Sequence, residues 1–134
     1  MKTEKLIEAV ASAVDNLEET IKALIERDER ETLRHVWRAA ANSEYALFLF
    51  SIDSNTSPEN SHPWKFSPNP KNMEMGPALT LAQELLKEAE KNIGTGNFQE
   101  AHRRTWMARG YLLEVQGIFE KRHRGGEKSL PSPL

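Results

Sequence analysis

Apolar residues recur along four stretches of the chain at alternating steps of three and four, a spacing that puts side chains on one face of an α-helix. The pattern predicts helices over about 3–26, 29–51, 78–93 and 97–120. Charged residues fall mainly between the apolar positions, as on the solvated face of a bundle helix. The residues expected to face the core are Leu6, Ile7, Val10, Ala13, Val14, Leu17, Ile21, Leu24 and Ile25 in the first helix, Leu33, Val36, Trp37, Ala40, Leu47, Phe48 and Phe50 in the second, Leu79, Ala82, Leu85, Leu86, Ala89 and Ile93 in the third, and Phe98, Ala101, Thr105, Ala108, Leu112, Val115 and Phe119 in the fourth.

The helical pattern occurs twice. Residues 9–50 and 78–119 align without a gap at an offset of 69 residues, and ten of the 42 aligned positions are identical, including Trp37 with Trp106. Unrelated helical segments would match at roughly three or four positions, so an internal repeat is favoured. Two amphipathic hairpins can bury their apolar stripes against each other. The sequence therefore predicts an all-α, antiparallel four-helix bundle of two pseudo-equivalent hairpins, and leaves open which helices are diagonal.

The two predicted turns share a capping pattern. Asp28 is followed three residues later by Glu31, and at the equivalent place Asn97 is followed by Glu100. This spacing is typical of a helix N-terminus, where the first side chain accepts a hydrogen bond from the backbone of the second residue. A turn is therefore expected near 27–28, although no glycine or proline marks it.

The segment between the hairpins is rich in proline, asparagine and serine, which predicts a long crossover loop over 52–77. Trp64 and Phe66 lie within it, and they either anchor the loop across the open edge of the bundle or form part of a binding surface. Residues 121–134 contain glycine and proline and little to bury, so we expect a flexible tail after a single domain over 1–120.

Composition narrows the possible functions. The net charge is −2, which gives no overall attraction to nucleic acid or an anionic membrane, and no apolar run is long enough to span a bilayer. The absence of cysteine excludes thiol nucleophiles and Cys-ligated zinc and is compatible with a reducing compartment, so we expect a cytoplasmic protein. No glycine-rich phosphate loop or nucleophile elbow is present. We therefore expect no cofactor, no metal and no enzymatic activity.

The arginines are unevenly distributed. They lie in the turn before the second helix, in the second and fourth helices or in the tail, whereas the first and third helices are net acidic. One interpretation is that the basic faces of helices 2 and 4 contact the phosphates of RNA. The other is that the arginines pair with the acidic helices across the bundle rim. The side chains that would form such a surface are Arg34, Arg38, Arg103 and Arg104.

Two short segments resemble known families. The string from Arg30 to His35, Arg-Glu-Thr-Leu-Arg-His, resembles the catalytic motif of HEPN-type ribonucleases, which are small helical bundles. The resemblance implies that Arg30 and His35 form an RNA-cleaving pair where two chains meet, although Glu31 stands where the family usually has Asn or Asp. The segment 89–112 resembles a tetratricopeptide-type hairpin, with a Gly-Asn-Phe turn and a following helix that carries alanines. That resemblance implies a role in protein interaction.

Some polar and aromatic positions in the predicted core require an explanation. Glu44 falls on the same stripe as Phe48, where its carboxylate needs either a partner, such as Arg109 or His102, or a place at the stripe's edge in water. The equivalent Trp37 and Trp106 are expected to be symmetric packing anchors.

We expect a non-enzymatic interaction or scaffold module that self-associates as a homodimer, with an RNA-binding subunit or HEPN-like ribonuclease as the alternative. The expected interaction surface comprises Arg34, Arg38, Arg103, Arg104, Trp64 and Phe66.

Overall fold

The structure is a computed structural model that describes residues 2–54 and 74–129, with the side chains of residues 3–52 and 74–121. It contains four helices, α1 (Lys2–Ile25), α2 (Glu29–Ser54), α3 (Met75–Gly94) and α4 (Phe98–Ser129), and no strand in the described ranges. The predicted all-α four-helix bundle is confirmed. Trp64, Phe66 and the rest of the crossover at 55–73 lie outside the described residues, as does the end of the tail, so the predictions for them stay predictions.

The helices form a square in which α1 packs against α2 and α3, and α4 packs against α2 and α3. The diagonal pairs, which the sequence left open, are therefore α1 with α4 and α2 with α3. Glu44 contacts Arg109, and one and a half turns further along α2, Phe50 stacks on His102. From the first contact to the second, the residue numbers rise on α2 and fall on α4. The two helices therefore run antiparallel.

Burial follows the repeat. Leu17 and Leu86 occupy equivalent positions and are both fully buried, and Phe50 and Phe119 are 3% and 2% exposed. The other identical core pairs are also buried in both copies: Ala9 with Ala78, Ala13 with Ala82, and Ala39 with Ala108. Equal burial at equivalent positions confirms that the two hairpins are built alike.

The inter-helix turns have the same backbone geometry even though their sequences differ. Arg27 has φ 61°, and at the equivalent position Gly96 has φ 84°. The amide of Asp28 donates to the carbonyl of Ala23 at 2.9 Å, while that of Arg27 donates to Leu24 at 3.0 Å. The second turn repeats both bonds at equivalent residues, at 2.8 and 3.1 Å. This is a Schellman helix end, whose left-handed residue is usually glycine, so the first turn places an arginine where glycine is favoured.

Both predicted helix starts carry the expected cap. The Glu31 amide donates to Asp28 Oδ1 at 3.2 Å, and the Glu100 amide donates to Asn97 Oδ1 at 3.4 Å. α3 begins at Met75, three residues before the predicted start, and its first intrahelical bond is donated by Ala78. Pro77 fits there because the amides of the first turn have no intrahelical acceptor. α4 continues to Ser129, beyond the predicted end at 120.

The predicted face of α2 is wrong in part. Trp37 and Phe48, expected in the core, are 53% and 59% exposed, so Trp37 is not a packing anchor. Small residues occupy much of the buried face instead: Thr32, Ala39, Ala40, Ser43 and Ala46. Small side chains let neighbouring helices approach closely, which leaves no room for a large ring. The buried hydroxyls are satisfied within the helix, since Thr32 and Ser43 donate to carbonyls one turn back at 2.7 and 3.0 Å. Ile25, also expected in the core, is 75% exposed.

Candidate interaction surface

Five apolar residues form a line along the outside of α2, and we call them the outer stripe: Trp37, Ala41, Tyr45, Phe48 and Ile52. Their spacing of four, four, three and four residues keeps them on one helix face. Tyr45 and Ile52 are 48% and 45% exposed, and Trp37 and Phe48 are exposed to a greater extent. A contiguous exposed stripe of large apolar side chains marks an interaction surface more often than scattered single residues do.

The outer stripe points away from the bundle. The buried residues of α2, such as Val36, Ser43 and Phe50, lie on the other side of the helix, which faces α1 and α4. A surface helix normally has one apolar face and one polar face, and a helix that is apolar on two opposite sides is normally covered on both. α2 therefore has an apolar face that the described part of the bundle leaves uncovered.

The repeat provides an internal comparison, because α4 is the equivalent of α2. Beyond the shared tryptophan, the outer stripe corresponds in α4 to Gly110, Glu114 and Gly117, and the same offset of 69 residues, continued two residues past the aligned range, pairs Ile52 with Lys121. These four residues carry no large apolar side chain, and Trp106, the equivalent of Trp37, is half-buried. The apolar outer face therefore belongs to α2 specifically and is not required by the hairpin fold.

A groove of about 270 Å³ lies between α2 and α4 beside the outer stripe. Phe48, Leu47 and Trp106 contribute apolar side chains to it, and Glu44, Ser51, His102 and Arg109 contribute polar ones. Arg109 Nε donates to Glu44 Oε2 across the groove, and the Glu44 side chain is 51% exposed. Both expectations for this carboxylate hold, since it has Arg109 as a partner and it also reaches water. His102 is buried and its ring stacks on Phe50 with centroids 5.0 Å apart.

The predicted arginine surface is divided between the two ends of the bundle. Arg34 and Arg38 lie near the start of α2, whereas Arg103 and Arg104 lie near the start of the antiparallel α4. Arg34 donates to Glu31 at 3.3 Å, and Arg103 donates to Glu100 at 3.2 Å. These pairs are within one helix rather than across the rim.

Only some of the arginines reach another helix. Arg104 contacts Glu88 of the acidic α3 at 3.5 Å and donates to Asn92 at 2.9 Å. This contact is of the expected kind, an arginine paired with an acidic helix, whereas Arg109 pairs with Glu44 of α2, which is not one of the acidic helices. Arg38 is exposed. Three of the four predicted surface arginines, Arg34, Arg103 and Arg104, therefore already have carboxylate partners.

The contact between Arg103 and Glu100 changes the pKa of the Glu100 carboxyl. The hydrogen bond from Arg103 holds the pKa of the Glu100 carboxyl below its ordinary value, and the positive charges of Arg103 and Arg104 act in the same direction against the opposing effect of burial. The carboxylate is therefore charged and engaged at neutral pH, so that Arg103 is partly neutralised as a phosphate contact.

Arg30 and His35 do not share a helix face. They lie five residues apart on α2, which turns their side chains roughly 140° from each other at 3.6 residues per turn. Arg30 is exposed, while the His35 side chain is 16% exposed and its Nε2 lies 3.3 Å from Glu31. His35 Nδ1 is buried with no hydrogen-bond partner among the described residues. One chain does not assemble the pair, and the ribonuclease hypothesis stays a prediction that needs a second chain.

The described residues contain neither a candidate metal site nor a candidate membrane-spanning helix. No group of three or more histidine and acidic side chains in these ranges has an arrangement that could hold a metal ion. Within 2–54 and 74–129, none of the helices is both long and apolar enough to traverse a bilayer. Comparisons of the chain with protein-family models, curated proteins and solved structures find no match.

Sequence reasoning missed the outer stripe because it assigned Trp37 and Phe48 to the core. The repeat alignment indicates that these positions face outward. The equivalents of Phe48 and Ile52 in the second copy are Gly117 and Lys121, which is the pattern of a helix face directed at solvent. Equivalent positions face the same way, so these two residues had to face outward as well.

Proposed function

We propose that the protein is a non-enzymatic interaction module that self-associates through the outer stripe of α2. The observation that carries the proposal is the exposure of four large apolar side chains, each between 45% and 59%, on one face of a helix whose other face is buried in the core. Tyr and Trp, which combine apolar area with a polar group, are among the residues enriched in protein interfaces.

The exposed area suits a protein partner. Large aromatic side chains bury about 150–250 Å² each when fully covered, so half-exposed ones leave about 100 Å² each and roughly 400 Å² for the stripe. A standard interface buries about 800 Å² on each partner, of which somewhat more than half is apolar. The outer stripe can therefore supply most of the apolar part of one such interface.

The RNA-binding alternative has weaker support. The exposed rings could stack on bases, but a nucleic-acid surface also needs cations that are available to phosphates. Arg34 and Arg103 are each paired with a carboxylate of their own helix, and the two lie toward opposite ends of the bundle. The net charge of −2 provides no general attraction. We therefore rank protein association first.

The repeat suggests the variant that tests the proposal. In Tyr45→Glu/Ile52→Lys, two residues of the stripe are replaced by their α4 equivalents, Glu114 and Lys121. These positions are half-exposed, so the fold should be retained, which a circular dichroism spectrum would check. The control is Leu81→Lys on α3, which removes a side chain that is 39% exposed on the helix diagonal to α2.

Sedimentation equilibrium would measure the dissociation constant of self-association for the three proteins. Charges in an apolar interface remove two contacts and add desolvation costs, so we expect the double variant to weaken association by at least about 100-fold. Leu81→Lys should associate like the unmodified chain. Equal dissociation constants for the double variant and the unmodified chain would refute the outer stripe as the contact surface.

A further inference from the structure

The outer stripe has an order of large and small residues that is complementary to its own reverse. We infer that two copies of the chain pack through α2 as an antiparallel, twofold-symmetric helix pair with the symmetry axis next to Tyr45. This inference rests on the proposed self-association and adds the identity of the partner surface and its orientation. It commits the exposed face of α2 to the same face of a second copy.

Reversal of one helix brings the stripe into register with itself. With the axis next to Tyr45, Trp37 lies at the level of Ile52 of the second copy, and Ala41 lies opposite Phe48 of the second copy. Tyr45 lies across from its own symmetry mate. Trp37 therefore meets the smaller Ile52, and the small Ala41 leaves space for the Phe48 ring, while Tyr45 is the one large residue that meets its own kind. A twofold interface requires this reciprocity, since each residue and its contact must exchange roles.

A parallel pair would match the surface poorly. It would place Ala41 against Ala41 and Phe48 against Phe48, so that a gap would follow a crowded position along the same seam. The dipoles of two parallel helices also repel each other. Reversal of one helix removes this repulsion.

The comparison with α4 bears on the number of copies that assemble. The same face of α4 carries Gly110, Glu114, Gly117 and Lys121, so of these two equivalent helices only α2 has such a stripe. One self-complementary surface per chain forms a closed pair and does not propagate into a filament. The expected assembly is therefore a dimer.

The chain has no cysteine, so single cysteines introduced on α2 report the orientation directly. Tyr45→Cys should form a disulfide-linked dimer under mild oxidation, because the two residues face each other near the axis. Ala41→Cys should not link to itself, because the two copies of this residue would be separated by roughly 10 Å along the helix axis, beyond disulfide reach. Mixing Ala41→Cys with Phe48→Cys should produce the mixed disulfide. Non-reducing electrophoresis with one size-tagged variant separates these products.

The possible results distinguish this inference from the proposed function. If Ala41→Cys links to itself as efficiently as Tyr45→Cys, the helices are parallel, and the inference fails while self-association through α2 stands. If none of the three cysteines links while Leu81→Lys and the unmodified chain are dimers, the contact lies elsewhere and both fail. If the unmodified chain is a monomer at every concentration, both are overturned, and residues 55–73 or a different protein are left as occupants of the outer stripe.

Discussion

Replacement of Arg27 by glycine should stabilise the protein, which is an unusual result for removing a charged side chain. Arg27 is the left-handed residue of the first turn, with φ 61°, and the second turn uses Gly96 at the same place. The side chain of Arg27 is exposed and forms no ion pair with a described residue. Its replacement therefore changes mainly the backbone.

The magnitude follows from two opposing contributions. A left-handed conformation costs a non-glycine residue about 1–2 kcal/mol, and this cost disappears in Arg27→Gly. Glycine loses more conformational freedom on folding, which costs about 0.5–1 kcal/mol. The difference is a gain of about 0.5–1 kcal/mol in the free energy of unfolding. Gly96→Ala should change it by a similar amount in the opposite direction, because an added Cβ would meet nothing within 4 Å and only the φ of 84° opposes it.

Urea denaturation of the three proteins at one fixed protein concentration would measure these changes, since self-association makes apparent stability depend on concentration. The expected order of stability is Arg27→Gly, the unmodified chain, then Gly96→Ala. A loss of 1 kcal/mol or more in Arg27→Gly would show that the arginine side chain stabilises the turn by contacts that outweigh its backbone cost, and would refute the reasoning.

Two further predictions concern the core and the charge pairs. Leu17→Ala and Leu86→Ala remove equivalent, fully buried side chains, so each should lower the free energy of unfolding by about 3–4 kcal/mol, and urea denaturation should give values within about 1 kcal/mol of each other; a clear inequality would contradict the equivalence of the two hairpins. Arg103 lowers the pKa of Glu100 in the folded state, so the stability it contributes is present above the ordinary carboxyl pKa and is lost as the pH falls through the lowered one. The Glu100→Gln variant should therefore be less stable than the unmodified chain at pH 7 by no more than about 1 kcal/mol because the pair is partly exposed, and the two should converge in acid; a difference that persists in acid would exclude the charge as its cause.

Helical periodicity was sufficient to place most of the core. The predicted faces of the first, third and fourth helices agree with the buried residues, among them Leu17, Leu86 and Leu112, with Ile25 at the end of the first helix as an exception. The turn at 27–28 was also predictable, although it contains no glycine or proline, because the repeat aligned it with the glycine-bearing turn before Asn97. In these regions the hydrophobic pattern and the local capping residues indicate the same structure, which is why sequence reasoning succeeded.

The α2 face was mispredicted for a physical reason. Large aromatic residues are usually buried, which is why the sequence predicts Trp37 and Phe48 in the core. The helices instead pack closely on small residues of α2 such as Ala39 and Ser43, which are fully buried. The sequence also does not show which carboxylate each arginine pairs with, because that depends on the register between antiparallel helices. The sequence leaves Arg109 and His102 as possible partners of the Glu44 carboxylate. The packing of α4 on α2 shows that the partner is Arg109.

The absolute molar mass of the unmodified chain in solution tests the central claim most directly. One chain has a mass of 15.3 kDa. Light scattering coupled to size-exclusion chromatography should give twice that value at micromolar concentrations and above, with no larger species, because a single self-complementary stripe closes the assembly at two copies. A mass of one chain throughout that range would contradict the claim that the outer stripe of α2 is covered by a second copy.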